Sequence, residues 1–236
     1  MKATVRDKSH KLPTVFELVL PAFETLRVNA TLYLILFILP AILTSLLTET
    51  SAQSPETLAD IQNSLSSAGM VIPLAASIVL LPYMALLQIK GARGEKLSAK
   101  ELVTMGSRKL PKLLALYIIL AIIIGAGLML FIIPGLILLK RYMLSPYYLI
   151  DDDCSIAQAM RSARNDVRPF SNSIWSVIGF GIVVYLAFAI SIVVPILALL
   201  YIATQIAWSF MPALRYHQIR EELGWSFDLV AIPPSK

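Results

Sequence analysis

Lys140 and Arg141 are adjacent full charges in the stretch FIIPGLILLKRYMLSPYYLIDDDC, residues 131–154. Cations set in largely apolar sequence either mark the edge of a membrane helix or sit where an anion can reach them. Farther along, Asp151, Asp152 and Asp153 form a contiguous acidic run, followed by Cys154. Clustered carboxylates can hold Mg²⁺ and through it a phosphate. A phosphate-transfer site of that kind needs its acids spaced so that they converge, and no second aspartate pair stands here at helical spacing. The acids are therefore read as a structural motif. They precede Ser155, favour the positive end of the helix that follows, and mark a membrane border. No metal and no cofactor are expected.

Nucleophilic chemistry finds as little support. The two histidines, His10 and His217, stand beside no carboxylate cluster in the sequence. A single cysteine excludes an internal disulfide and reads as an incidental reduced thiol. The expectation is a protein that is not an enzyme.

The elements that must hold these residues follow from composition. The chain is 57% hydrophobic and 15% charged over 236 residues, with a mean hydropathy of +0.74. Soluble domains carry about 25% charge. This much apolar side chain needs lipid as its solvent, so the fold class is all-α, a polytopic membrane helix bundle. The net charge of +5 could suggest nucleic acid. In a membrane chain the excess of Lys and Arg belongs on cytoplasmic loops instead, and no nucleic acid partner is expected.

Six spans are expected, at about 28–48, 69–89, 113–133, 134–150, 174–194 and 195–211. Together they make one domain, 1–214, with 215–236 as a cytoplasmic tail. Segments 1–27, 90–112, 151–173 and 212–236 then hold every Lys and Arg except Lys140 and Arg141. The outer segment 49–68 holds none, but does hold Glu49, Glu56 and Asp60. Such asymmetry places both termini in the cytoplasm of a bacterial inner (plasma) membrane. No continuous apolar leader precedes residue 28, so the first span is expected to target the chain. Ser54-Pro55-Glu56 is a candidate helix start in the outer loop, and Pro195 a candidate turn between the last two spans.

Three capping-box patterns, Thr14–Glu17, Ser98–Glu101 and Ser155–Gln158, precede mixed polar and apolar segments. Each is followed by an aromatic of the type that marks membrane borders: Tyr33, Tyr117 and Trp175. Leu102, Val103, Met105 and Leu110 fall near one helical face, with Lys100, Glu101, Arg108 and Lys109 largely elsewhere. That pattern suits a helix lying in the interface, its basic side toward anionic headgroups. The chain thus reads as three units of interfacial helix, span, turn and span, a threefold pseudo-repeat over 14–89, 98–150 and 155–211. Gly125/Gly127 and Gly179/Gly181 read as close helix contacts, and Pro40, Pro82 and Pro146 as kinks or starts of spans.

Pro134-Gly135, Arg141-Tyr142, Ser145-Pro146-Tyr147, Asp151 to Asp153 and SIAQAMRSAR together resemble a signature of bacterial multi-pass inner-membrane proteins. These are the YciC-like group and the membrane domain found ahead of some glycerophosphodiester phosphodiesterases. The resemblance implies a six-span inner-membrane protein. It supplies no activity and no catalytic residues, and the phosphodiesterase domain itself has no counterpart in this chain.

Two functions stand open at this point. In the first, a non-catalytic membrane protein organises or contacts lipid or partner proteins, with anionic headgroups at the cytoplasmic face as its partners. In the second, a small-solute or lipid transporter uses Arg141. A helix residue seven positions past Pro134 lies about 10 Å along the axis, well inside a core ~30 Å thick. Adjacent residues point about 100° apart, so Lys140 is expected to snorkel and Arg141 to face the bundle interior. In a purely structural role, Arg141 would instead pair with helix-end carbonyls or with polar groups such as Gln205.

Overall fold

The computed structural model describes residues 12–49, 68–193 and 197–224. His10, the outer loop with Ser54-Pro55-Glu56, the Pro195 turn and tail residues 225–236 lie outside the described residues. A short 3₁₀ turn, Phe16–Leu18, leads into α1 (Val19–Val28), then α2 (Ala30–Glu49), α3 (Ala68–Ala92) and α4 (Ala99–Leu130). After these come α5 (Ile132–Tyr142), α6 (Ser145–Asp151), α7 (Ile156–Val167), α8 (Ser171–Val193) and α9 (Leu197–Glu222). Among the described residues there is no strand.

Local sequence accounts for the helix ends. Ser98 accepts from the Glu101 amide while the Glu101 carboxylate accepts from the Ser98 amide, and Ser155 and Gln158 repeat the arrangement at α7. The Thr14 box is not made. Thr14 donates to the Glu17 carboxylate, but the backbone cap position falls on Val15 and carries no side-chain bond. Helix α9 ends at Gly224, whose φ of +81° suits a residue without Cβ.

Two helices among the described residues are long and apolar enough to cross a membrane: α4, and α3 over Ala75–Ala92. The number rises to four if each of two bent pairs is one span. Phe16–Val28 meets Ala30–Leu39 at 93°, and α7 meets Ser171–Ala187 at 102°. The first bend sits at Asn29, whose backbone leaves the helical region (φ −128°, ψ 35°). Its side chain donates to the Glu95 carbonyl at 2.8 Å and accepts from the Leu97 amide at 2.9 Å, tying the bend to the α3–α4 loop. At the second bend, Pro169 has no N–H with which to continue the ladder.

The structure departs from the sequence reading in three places. The segment 98–112 is not a separate interfacial helix, because α4 runs unbroken through Pro111. The stretch 134–150 is not one helix either. Helix α5 stops at Tyr142 and α6 begins at Ser145, since the ring of Pro146 would collide with the Tyr142 carbonyl in a continuous helix. Eleven residues give α5 a length of about 16 Å, too short to cross the hydrocarbon alone. Residues 215–222 are not tail. They extend α9 past Pro212, and Arg215, Tyr216, Ile219 and Arg220 are buried.

Buried and exposed apolar residues occupy different parts of the bundle. The core gathers Leu86, Leu87, Ile89, Tyr148, Ala163, Phe210 and Tyr216 where α3, α6, α7 and α9 meet. Ile118, Ile122, Met129 to Ile133, Ile182, Val183 and Leu186 are exposed, which fits a surface whose solvent is lipid. Helices α4 and α5 cross closely. A Cβ on Gly135 would lie 2.7 Å from the Leu128 backbone nitrogen, and one on Gly127 would lie 3.0 Å from the Gly135 Cα. Gly181 seats Trp208, whose Nε1 donates to the Val177 carbonyl at 3.1 Å. Gly125 and Gly179 do not make such contacts: a Cβ on either would meet nothing within 4 Å.

Candidate functional site

Two clusters of charge flank α6. The first contains the three aspartates, which do more than mark a border. Asp151 Oδ2 accepts from Arg93 Nη2 at 2.5 Å and from the Tyr216 hydroxyl at 2.8 Å. Asp152 takes Arg220 in a two-point pair, 2.6 and 3.4 Å. The Arg220 guanidinium lies 5.4 Å from the centre of the Tyr148 ring and 5.7 Å from that of Tyr216. The Tyr148 hydroxyl donates to Asp166 at 2.7 Å, which adds α7 to the network. Asp153 adopts φ +44°, a value Asp tolerates, and stays largely exposed, 3.7 Å from Lys112 and 3.9 Å from Lys109. Lys109 also donates to the Ile150 carbonyl.

This cluster is a clasp. It joins the end of α3, the end of α6, the last turns of α7 and the second half of α9 through charge-assisted bonds, about twice as strong as neutral ones. Its carboxylates are occupied by arginines and a tyrosine. Among the described residues no three His, Cys, Asp or Glu side chains converge as metal ligands. His217 sits at the same place, Nδ1 3.4 Å from Glu221. Burial lowers its pKa, the nearby Arg93 charge lowers it further, and Glu221 and Asp151 oppose the shift. Burial also raises the Tyr216 hydroxyl, with Asp151 adding to the rise.

Wholly buried Arg215 closes the neighbouring corner. It donates to the Pro13 carbonyl at 2.6 Å and to the Gln218 side chain at 2.8 Å. Burial lowers it to about 10, against the pull of Glu17. The segment before α1 is thus tied to the last helix.

The second cluster contains Lys140 and Arg141. Lys140 is half-buried, donates to the Ser171 hydroxyl at 3.0 Å, and lies 5.4 Å from the centre of the Trp175 ring. Its partner is Ser171. Arg141 does not face the bundle interior: it is exposed. The expected division between the two cations is reversed. Helix α5 ends one residue after Arg141, so the pair occupies a last turn, where cations complement the helix dipole. Arg141 opens onto a recess of about 400 Å³ that Lys140, Arg164, Asn165, Arg168 and Ser171 also line. Pro134 and Gly135 open α5 and form its crossing with α4, while buried Pro146 begins α6. Cys154 stays a free thiol near the Tyr148 carbonyl.

No family model, no curated protein and no solved structure matches this chain. Function must therefore be argued from the two clusters and the apolar surface. Sequence reasoning missed Arg93, Arg220, Tyr216 and Asn29 as members of the clasp and its surroundings. The alternation of charge signs between 90–112, 151–153 and 212–222 was the available signal, and it does not say which residues pair.

Proposed function

We propose that this chain is a non-catalytic integral membrane protein that contacts and organises anionic lipid at one face of a bacterial inner membrane. Both termini in the cytoplasm belong to this reading, and six spans do so only with α5 and α6 together making the fourth crossing. So does membership of the YciC-like group, on the strength of the residues between Pro134 and Arg164. One observation carries it. Phe16 and Leu20, 73% and 74% exposed, and Phe23 form an outward apolar stripe on a segment bent by 93° from the helix that follows. The opposite face, Leu18, Ala22 and Thr25, is buried against the bundle. An exposed apolar stripe on a helix that crosses its successor at a right angle suits a position in the acyl boundary, with exposed Glu17 and Glu24 beside it. Helix α7 repeats the bend and turns Arg161, Arg164 and Arg168 outward from buried Ala159, Ala163 and Val167.

Exposure of Arg141 favours this reading over transport, which would place it in a wet interior cavity. The test is lipid retention by the full-length protein purified in mild detergent, read by native mass spectrometry. Anionic phospholipid should be retained in preference to zwitterionic phospholipid from the same membrane. Retention in proportion to membrane composition would refute the reading.

A further inference from the structure

The recess beside Arg141 draws its cations from separate parts of the chain. Lys140 and Arg141 come from the last turn of α5, and Arg164 from the last turn of α7. Arg168 comes from the bend that follows, and Ser171 is the first residue of α8. All line one cavity of about 400 Å³ together with Asn165. No carboxylate lines it. Among the described residues none pairs with Arg141, Arg164 or Arg168. Asp166, the acid nearest in sequence, is held instead by the Tyr148 hydroxyl on the clasp.

Helix dipoles account for single cations at the ends of α5 and α7. They do not account for four cations from two helices and a bend meeting around a cavity. Like charges gathered at one recess repel one another and focus positive potential, which an anion relieves. Three guanidinium groups present planar forks matched to phosphate oxygens, and Lys140 adds a point charge. The Ser171 end of the 23-residue helix α8 adds partial positive charge on the same side. Trp175, whose ring lies beside Lys140, is of the type found at headgroup level.

We propose that this recess is a discrete binding site for a phosphate group, with Arg141, Arg164 and Arg168 as its principal ligands and Lys140 and Ser171 as supporting donors. The phosphate chemistry stands on the recess alone; assigning it to a lipid headgroup rests on the function proposed above. Lys140 then serves both sides of the site, held by Ser171 and the Trp175 face while its charge stays at the cavity.

The test uses the full-length protein in a neutral detergent, titrated separately with short-chain phosphatidic acid and with inorganic phosphate, bound species being counted by native mass spectrometry. The parent should bind one phosphatidic acid tightly. R164Q/R168Q should weaken this by about tenfold or more, and R141Q should weaken it in the same direction. R108Q/K112Q removes equal charge from the basic face elsewhere and should leave the tight site unchanged. Thermal melting confirms that each variant is folded, which their exposure makes the expected result.

Binding of inorganic phosphate as tight as that of phosphatidic acid, lost in R164Q/R168Q, supports the site with a soluble phosphate as its source. Equal losses in R164Q/R168Q and R108Q/K112Q overturn the site while leaving a general anionic-lipid preference standing. Binding of neither probe by the parent also overturns it. A parent that binds phosphatidic acid at this site, yet retains membrane lipids without preference for charge, keeps the site and loses the proposed function.

Discussion

Arg220 shows how much a single side chain can join. It is 3% exposed, forks onto Asp152 and lies against two tyrosine rings. Removing one partner of a buried pair costs about 3–5 kcal/mol. The Asp152 side chain is 26% exposed, so water recovers part of that. Arg220→Met should therefore destabilise by roughly 2–3 kcal/mol, read by denaturant titration in detergent micelles. Asp153→Asn is the contrast. Its carboxylate is 71% exposed and its lysines stand at 3.7 and 3.9 Å, so a change under about 0.5 kcal/mol is expected. An equal cost for both would show that the clasp is not what the burial implies. His217 gives the cluster a pH dependence. Its folded pKa lies below the unfolded value of about 6.5. The unfolded state then binds more protons just below that pH, so stability falls on acidification through the window. His217→Asn should flatten the slope of melting temperature against pH as the pH falls below about 6.5. An unchanged slope would assign the acid sensitivity to other groups.

At the level of elements, the α4–α5 hairpin depends on two glycines rather than on its loop. Phe131, the one residue between the helices, is extended (φ −159°, ψ 147°), a conformation open to any residue. What no other residue supplies is the close crossing at Gly127 and Gly135. Gly135→Ala places a Cβ 2.7 Å from the Leu128 nitrogen, and a backbone atom cannot swing aside as a side chain can. A loss of about 1–3 kcal/mol is expected, with faster amide exchange along α5. Gly125→Ala, which meets nothing within 4 Å, should be neutral or gain slightly from helix propensity. Wild-type behaviour of Gly135→Ala would mean that the crossing is looser than drawn.

For the molecule as a whole, the proposed topology places residues 49–68 on the outer face and both termini in the cytoplasm. In a Cys154→Ser background, single cysteines at positions 60, 5, 95 and 230 test it with a membrane-impermeant reagent on intact spheroplasts. Position 60 should react; 5, 95 and 230 should not. Labelling at 95 from outside would invert the basic face and, with it, the proposed lipid contact. The same placement explains why the charged clasp and the apolar exposed surface lie apart. Arg93, Asp151, Asp152 and Arg220 pair on each other at one end of the bundle, while Ile118, Ile122 and Met129 to Ile133 are left for lipid.

Features that depend on near neighbours were legible along the chain. Composition and apolar runs pointed to a helical chain with helices long and apolar enough to cross a membrane, because backbone polar groups in lipid must be satisfied within the segment. Ser98–Glu101 and Ser155–Gln158 announced their helices, since a capping box closes within one turn. Pro146 held the signal for the break after Tyr142, in its clash with the residue four positions back, but read as a kink or a start it left 134–150 as one span. Which charges meet became visible only in the packed bundle. Asp151 finds Tyr216 across 65 residues and Arg93 across 58, and Asp152 finds Arg220 across 68. Such partners are chosen by how helices pack, which charge counting along the chain does not encode. For the same reason Arg141 came to the surface and joined Arg164 and Arg168: the helix that carries it ends one residue later, and a second helix end is packed beside it.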